Sequence, residues 1–153
     1  MNKRPTITKE MERKACLQVG KKLELGDPEI LAKHYRWPDD GLDIAHELNA
    51  KEGWAWGIEL SEDFADSLDE ISNIVEKEHQ KEVEKWFIDN NIQQPYPLGT
   101  KVRYHSMNKD CIGYLQDIDT MLPGRYIVKD ENESSYSPKS RAIINFEDVE
   151  KVD

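Results

Sequence analysis

Ser61–Asn91, SEDFADSLDEISNIVEKEHQKEVEKWFIDNN, is the stretch around which the rest of the chain has to pack. Phe64, Leu68, Ile71 and Val75 recur at steps of four, three and four, which places them on one stripe of an α-helix. Ser61 is suited to cap the first turn, and Glu62, Asp63 and Asp66 sit where the helix macrodipole favours negative charge. Asn90 and Asn91, followed by Pro95 and Pro97, supply the stop. A helix of this length would span about 45 Å, more than the diameter of a small domain. The apolar stripe is interrupted over Glu76–Glu82 (EKEHQKE) and resumes with Val83, Trp86 and Phe87. The pattern predicts one long helix joining two apolar clusters, with a break near His79 as the alternative.

Upstream, Met11, Ala15, Val19 and Leu23 form an i,i+4 stripe that predicts a first helix over Thr8–Leu25, with Cys16 beside the stripe. Gly26 is placed to end it, and Asp27-Pro28 to start the next as N-cap and N1. The second helix, Pro28–Arg36, offers Ile30, Leu31 and Tyr35 to a core and closes at Trp37-Pro38. Asp39-Asp40-Gly41 opens a third helix over Leu42–Lys51, with Ile44, Ala45 and Leu48 inward and Gly53 as its stop. Two short helices around a tight turn suggest a DNA-reading helix-turn-helix. The second of them, however, exposes Asp43 and Glu47, which phosphates and base edges would repel. In Trp54–Leu60 (WAWGIEL), Trp54, Trp56, Ile58 and Leu60 alternate with Ala55, Gly57 and Glu59. That period predicts a strand or extended connector with both tryptophans packed against the helices.

Charge is uneven along the chain. The net charge is −10, yet residues 1–36 carry nine Lys/Arg against five Asp/Glu, and residues 37–76 carry one Lys against twelve acids. Almost all the negative charge therefore belongs to one forty-residue block. Such a block either keeps a helical surface solvated or steers a cationic partner onto it. With 37% apolar and 34% charged residues, any core is thin and helical surface is plentiful. No apolar run is long enough to cross a membrane, and MNKRPTITKE lacks the apolar stretch of a signal peptide, so a cytoplasmic protein is expected. Cys16 and Cys111, far apart and outside any CxxC context, are expected as reduced thiols.

After QQPYPLG the texture becomes β. KVRYH (101–105), CIGYLQDI (111–118), RYIVK (125–129) and RAIIN (141–145) are separated by SMNKD, DTMLPG and the polar loop DENESSYSPKS, and NFEDVEKV closes the chain. Four or five short strands at this spacing predict a small antiparallel barrel. The division expected is an acidic helical domain over 1–94 and a barrel over 95–153, an α+β chain. Ile112-Gly113-Tyr114-Leu115-Gln116-Asp117-Ile118 resembles the hydrophobic–Gly–x–aliphatic–x–x–Ile core of KOW-type, SH3-like barrels, and RYIVK with the terminal FEDVE fits the same pattern. The resemblance covers the last third of the chain. It implies a five-stranded SH3-like barrel, a module that in its family binds nucleic acid, RNA polymerase, ribosomes or peptide segments. This copy departs from the nucleic-acid-binding members by being slightly acidic.

Chemistry-bearing motifs are sparse. Asp43, His46 and Glu47 share a helical face with His34 nearby, but the spacing is not HExxH and no second ligand pair accompanies it. There is no Gly-rich phosphate loop, no GxSxG and no Cys with a base nearby, so no catalysis, metal or cofactor is expected. The leading expectation is a protein-interaction protein, an adaptor or inhibitor. Its docking residues would be Asp39, Asp40, Asp43, Glu47, Glu59, Glu62, Asp63, Asp66, Asp69 and Glu70, set against a basic, nucleic-acid-handling partner. Rows of carboxylates can mimic backbone phosphates, and in character the chain resembles phage-encoded inhibitors of host defence or transcription. The alternative is a nucleic-acid or ribosome/polymerase-associated module using Lys101, Arg103, Tyr104, Lys109 and Arg125 on the barrel, with His105 and Tyr126 among them. Val83, Trp86 and Phe87 would pack on the barrel or form a homodimer contact, internal docking being the simpler account.

Overall fold

The computed structural model describes residues 3–132 and 141–153, and most of the polar loop DENESSYSPKS lies outside them. The chain is α+β. Helices α1 (Lys9–Lys22), α2 (Glu29–His34), α3 (Gly41–Glu52), α4 (Glu62–Leu68) and α5 (Glu70–Asp89) are followed by strands β1 (Lys101–Ser106), β2 (Lys109–Ile118), β3 (Arg125–Asp130), β4 (Ala142–Asn145) and β5 (Val149–Lys151). It separates into two compact units: Pro5–Glu82, and Val83–Asp153 together with Met1–Arg4. The second unit thus begins inside α5, earlier than the change of texture after QQPYPLG.

In the first unit, helix starts are made by side chains the sequence supplies. Thr8 accepts from the Met11 N–H, and Ser61 from the Phe64 N–H. Asp40 and Asp43 form a reciprocal capping box on α3, which ends on left-handed Gly53. Asp27 Oδ1 accepts from the Glu29 N–H, but the α2 helix is shorter than expected, Glu29–His34, with Pro28 rather than Asp27 at its N-cap position. The core gathers Ala15, Cys16, Val19, Leu31, Ile44, Leu48, Leu68, Ile71 and Val75, with Cys16 buried and free.

Three expectations for this unit are corrected. First, α1 stops at Lys22, short of Gly26. Glu24 takes the left-handed position, with its own N–H on the Lys21 carbonyl and the Leu25 N–H on Gly20. This double bond pattern at a helix end normally uses glycine. Here Leu23 and Leu25 pack against the core on either side of Glu24, and their burial outweighs its backbone cost. Second, Trp54–Leu60 is a turn. Gly57 sits at φ +84°, its N–H bonds the Leu60 carbonyl, and Ala55 O accepts from Ile58, Glu59 and Leu60. Leu60 is buried and Trp54 packs on Phe64 with ring centroids 6.0 Å apart, whereas Trp56 is 43% and Ile58 81% exposed. Third, the expected long helix is interrupted, but at Asp69 rather than near His79. The Asp69 N–H bonds the Asp66 carbonyl three residues back, and its carboxylate accepts from the Gly41 N–H at 2.6 Å. Helix α5 runs unbroken through Glu76–Glu82, and the His79 ring donates to the Pro5 carbonyl at 3.1 Å.

In the second unit the five strands form one curled antiparallel sheet in the order β4-β3-β2-β1-β5, compatible with a small barrel-like fold. Met107 and Asn108, both at positive φ, make the two-residue connection of the β1–β2 hairpin, whose twist suits that of the strands. Gly113 lies in the middle of β2, where a Cβ would come within 2.4 Å of the Lys129 carbonyl oxygen, so the sheet can close tightly only at a glycine. Alternation puts Val102, Tyr104, Leu115, Tyr126 and Val128 inward, joined by Ile144, Phe146 and Val149. A 3-10 turn, Phe146–Asp148, leads into β5. Phe87 packs against this core, which accounts for part of the apolar resumption at the end of α5. Arg4 forms an ion pair with Glu147, donates to the Pro123 and Gly124 carbonyls, and lies 4.8 Å from the Trp86 ring centroid.

Candidate functional site

The ten carboxylates named above all lie in the first unit, and most are exposed. Several accept hydrogen bonds from nearby backbone N–H groups. Asp39 accepts from the Arg36 N–H at 2.9 Å, Asp40 and Asp43 cap α3, and Glu59 accepts from the Ala55 N–H at 2.7 Å. Asp69 joins this group through Gly41, so Asp40, Asp43 and Asp69 gather around the start of α3. Glu70 differs, because Lys22 Nζ lies 2.6 Å from its carboxylate. Glu47, Glu62, Asp63 and Asp66 are exposed, and no ion-pair partner faces their carboxylates among the described residues. On α3, Asp43 and Glu47 stand one turn apart; on α4, Glu62 and Asp66 do the same.

A carboxylate absent from the expected set, Glu52, is engaged differently. Its Oε1 takes the Lys33 ammonium at 2.6 Å and His34 Nε2 at 2.7 Å, and these two bonds hold its acidity stronger than an ordinary glutamate. His34 is buried in this arrangement, with Glu52 of α3 as its partner, whereas the His46 ring meets Trp56. No cluster of three His, Cys, Asp or Glu suited to a metal ion occurs among the described residues.

The cationic strip on the sheet is largely committed to internal pairs. Lys101 Nζ is 3.0 Å from Glu131, and Arg125 holds the buried Asp119 through its guanidinium. Burial would weaken the acidity of Asp119, but the Met121 N–H and Arg125 outweigh it and keep it ionised below the usual range. Tyr104 is 4% exposed and its hydroxyl donates to Asp130, so it offers no face for stacking. Arg103 and Lys109 remain exposed. A cleft of about 780 Å³ beside Arg103 is lined also by Asp110, Glu147, Asp148 and Glu150.

No protein-family model, curated protein or solved structure matches the chain.

The sequence pattern missed the apolar residues that stand among the carboxylates. Leu42 is 51% exposed on α3, one turn before His46, and Trp56 meets the His46 ring edge-on at 5.7 Å. The signal available was Gly57, a residue that permits the reversal which turns Trp56 and Ile58 outward. No helix among the described residues is long and apolar enough to cross a membrane.

Proposed function

We propose that this protein is a non-catalytic interaction protein, an adaptor or inhibitor, whose acidic helical unit docks a basic surface on a nucleic-acid-handling protein. The observation that carries the reading is the state of the acidic block. Glu47, Glu62, Asp63 and Asp66 are solvent-exposed and without counter-ions among the described residues, while Asp40 and Asp69 beside them accept from backbone N–H groups rather than from cations. Concentrated, uncompensated charge speeds encounter and selects partners of opposite sign. The second unit, as a KOW-type SH3-like barrel, would act as a companion module. The meander β1 to β4, the 3-10 turn and the return of β5 to β1 support that assignment. Nucleic-acid binding by the sheet has less support, because Lys101 and Arg125 are paired and Tyr104 is buried.

The test reverses the uncompensated charges together: Glu47→Lys, Glu62→Lys, Asp63→Lys and Asp66→Lys. Wild-type protein is expected to capture a basic partner whose retention falls steeply as salt rises, since exposed charges are screened over about 8 Å at physiological ionic strength. The fourfold variant should lose that partner while keeping its helical circular dichroism. Retention equal to wild type would reject the acidic docking surface.

A further inference from the structure

We infer that the acidic face has an apolar anchor site, formed by Leu42, His46, Trp56 and Ile58, which takes a cationic amphipathic helix through its apolar side. The inference rests on the acidic-docking reading and adds the chemistry that would give it specificity. Leu42 and His46 are one turn apart on α3, so their side chains are neighbours along one ridge. Trp56 continues that ridge by its edge-on contact with His46. Ile58, two residues further along the same turn, is the most exposed aliphatic side chain of this unit at 81%.

None of this exposure follows from a frayed element. The turn that presents Trp56 and Ile58 is tied down at several points: Gly57 N–H to the Leu60 carbonyl, Ala55 N–H to Glu59, and Asn49 to the Trp54 carbonyl at 2.6 Å. Leu60 anchors its far end in the core. Large apolar groups held outward on a fixed turn are the composition of an interface centre, where tryptophan in particular carries binding energy. Asp43 and Glu47 border the ridge on α3, and Glu59 borders it on the turn. The rim is therefore anionic and the centre apolar.

That combination selects the occupant. A basic residue alone would leave Leu42 and Ile58 uncovered, and an acidic segment would be repelled by Asp43, Glu47 and Glu59. Strand addition is not offered, because this unit's only β-pairing among the described residues is the single bridge Trp56–Leu60. A helix with apolar residues at i and i+4 flanked by Lys or Arg matches both the ridge and the rim.

The experiment measures the anisotropy of two labelled peptides titrated with the full chain. One carries lysines with leucines at helical i,i+3/i+4 spacing; the other has serine in place of every leucine. The expected result is at least about tenfold tighter binding of the leucine peptide, an advantage that Trp56→Ala and Ile58→Ala remove. Both replacements are at exposed positions, and unchanged circular dichroism checks the fold. Equal binding of the two peptides overturns the anchor while leaving the acidic surface standing. A leucine advantage that survives both substitutions also overturns it, since the apolar contact then lies elsewhere. If neither peptide binds even at low salt, the acidic-docking reading falls and takes the anchor with it.

Discussion

A Cβ built on Gly41 would lie 1.7 Å from the Ala65 carbonyl oxygen and 3.0 Å from Asp69 Oδ1. The start of α3 is therefore pressed against the backbone of α4, and the Gly41 N–H uses that closeness to reach Asp69. Gly41→Ala must push two helices apart, an overpacking cost of about 2 kcal/mol or more. Gly26→Ala is the matched control, because Gly26 has open space around it and no left-handed φ. Its expected effect is neutral to slightly stabilising, by up to about 1 kcal/mol through a less flexible unfolded chain. Urea denaturation of the two variants should separate them widely, and a Gly41→Ala protein as stable as wild type would refute the close approach. In the sequence the two glycines look alike as helix punctuation. Only the position of Ala65, more than twenty residues away, distinguishes them.

Among elements, legibility followed the range of the forces involved. Capping is local, so Ser61 could be read as a cap from residue type and position, and Asp39-Asp40-Gly41 as the opening of α3, while Thr8, expected inside α1, is its N-cap. The strands were readable too, since Val102 with Tyr104 and Tyr126 with Val128 alternate and polar turns separate them. The single interruption at Asp69 left no trace in the pattern, because Asp69 keeps right-handed helical dihedrals and the spacing Leu68–Ile71–Val75 continues in phase. Trp54–Leu60 misled for the opposite reason: its period-two hydrophobicity is that of a strand, but the chain reverses at Gly57, at positive φ, and leaves Trp56 and Ile58, two of the alternating apolar residues, exposed. The capping box on α3 supports the element-scale prediction. Asp40→Ala removes the carboxylate that accepts from the Asp43 N–H and leaves only the reciprocal bond from the residue-40 backbone N–H to the Asp43 carboxylate, costing about 1–2 kcal/mol. Asp40→Asn retains an acceptor and should cost a few tenths at most. Equal stability of the two variants in chemical denaturation would show that the box does not hold the helix start.

At the scale of the molecule, each unit has groups that limit its stability toward acid and toward alkali. On the acid side, Glu52 is held below its ordinary 4.5 by hydrogen bonds from Lys33 and His34. Asp119 is held below 3.8, where the Met121 N–H and Arg125 outweigh burial. Glu147 is lowered as well, with Arg4 outweighing burial. A carboxyl more acidic in the fold than in the open chain stabilises the fold above its ordinary pKa, and that contribution vanishes as pH falls through the folded value. On the alkaline side, burial pushes Cys16 in the first unit, and Tyr35 with it, up to about 12. Tyr104 in the second unit is likewise pushed up to about 12 by burial, reinforced by Asp130. These groups fold best in their neutral form. Once pH passes the ordinary thiol and phenol values of 9.0 and 10.0, the unfolded chain ionises first and stability is lost up to the folded value. The expected profile is a thermal midpoint level between about pH 5 and about pH 8.5 and falling on both sides. Because Cys16 and Glu52 belong to one unit and Tyr104, Asp119 and Glu147 to the other, both units should lose stability at each extreme. Calorimetry across pH 3 to 11 checks this, with Cys16→Ala expected to delay the alkaline decline of the first unit. A midpoint still rising above pH 10 would mean that the buried thiol and phenols are not held neutral by the fold.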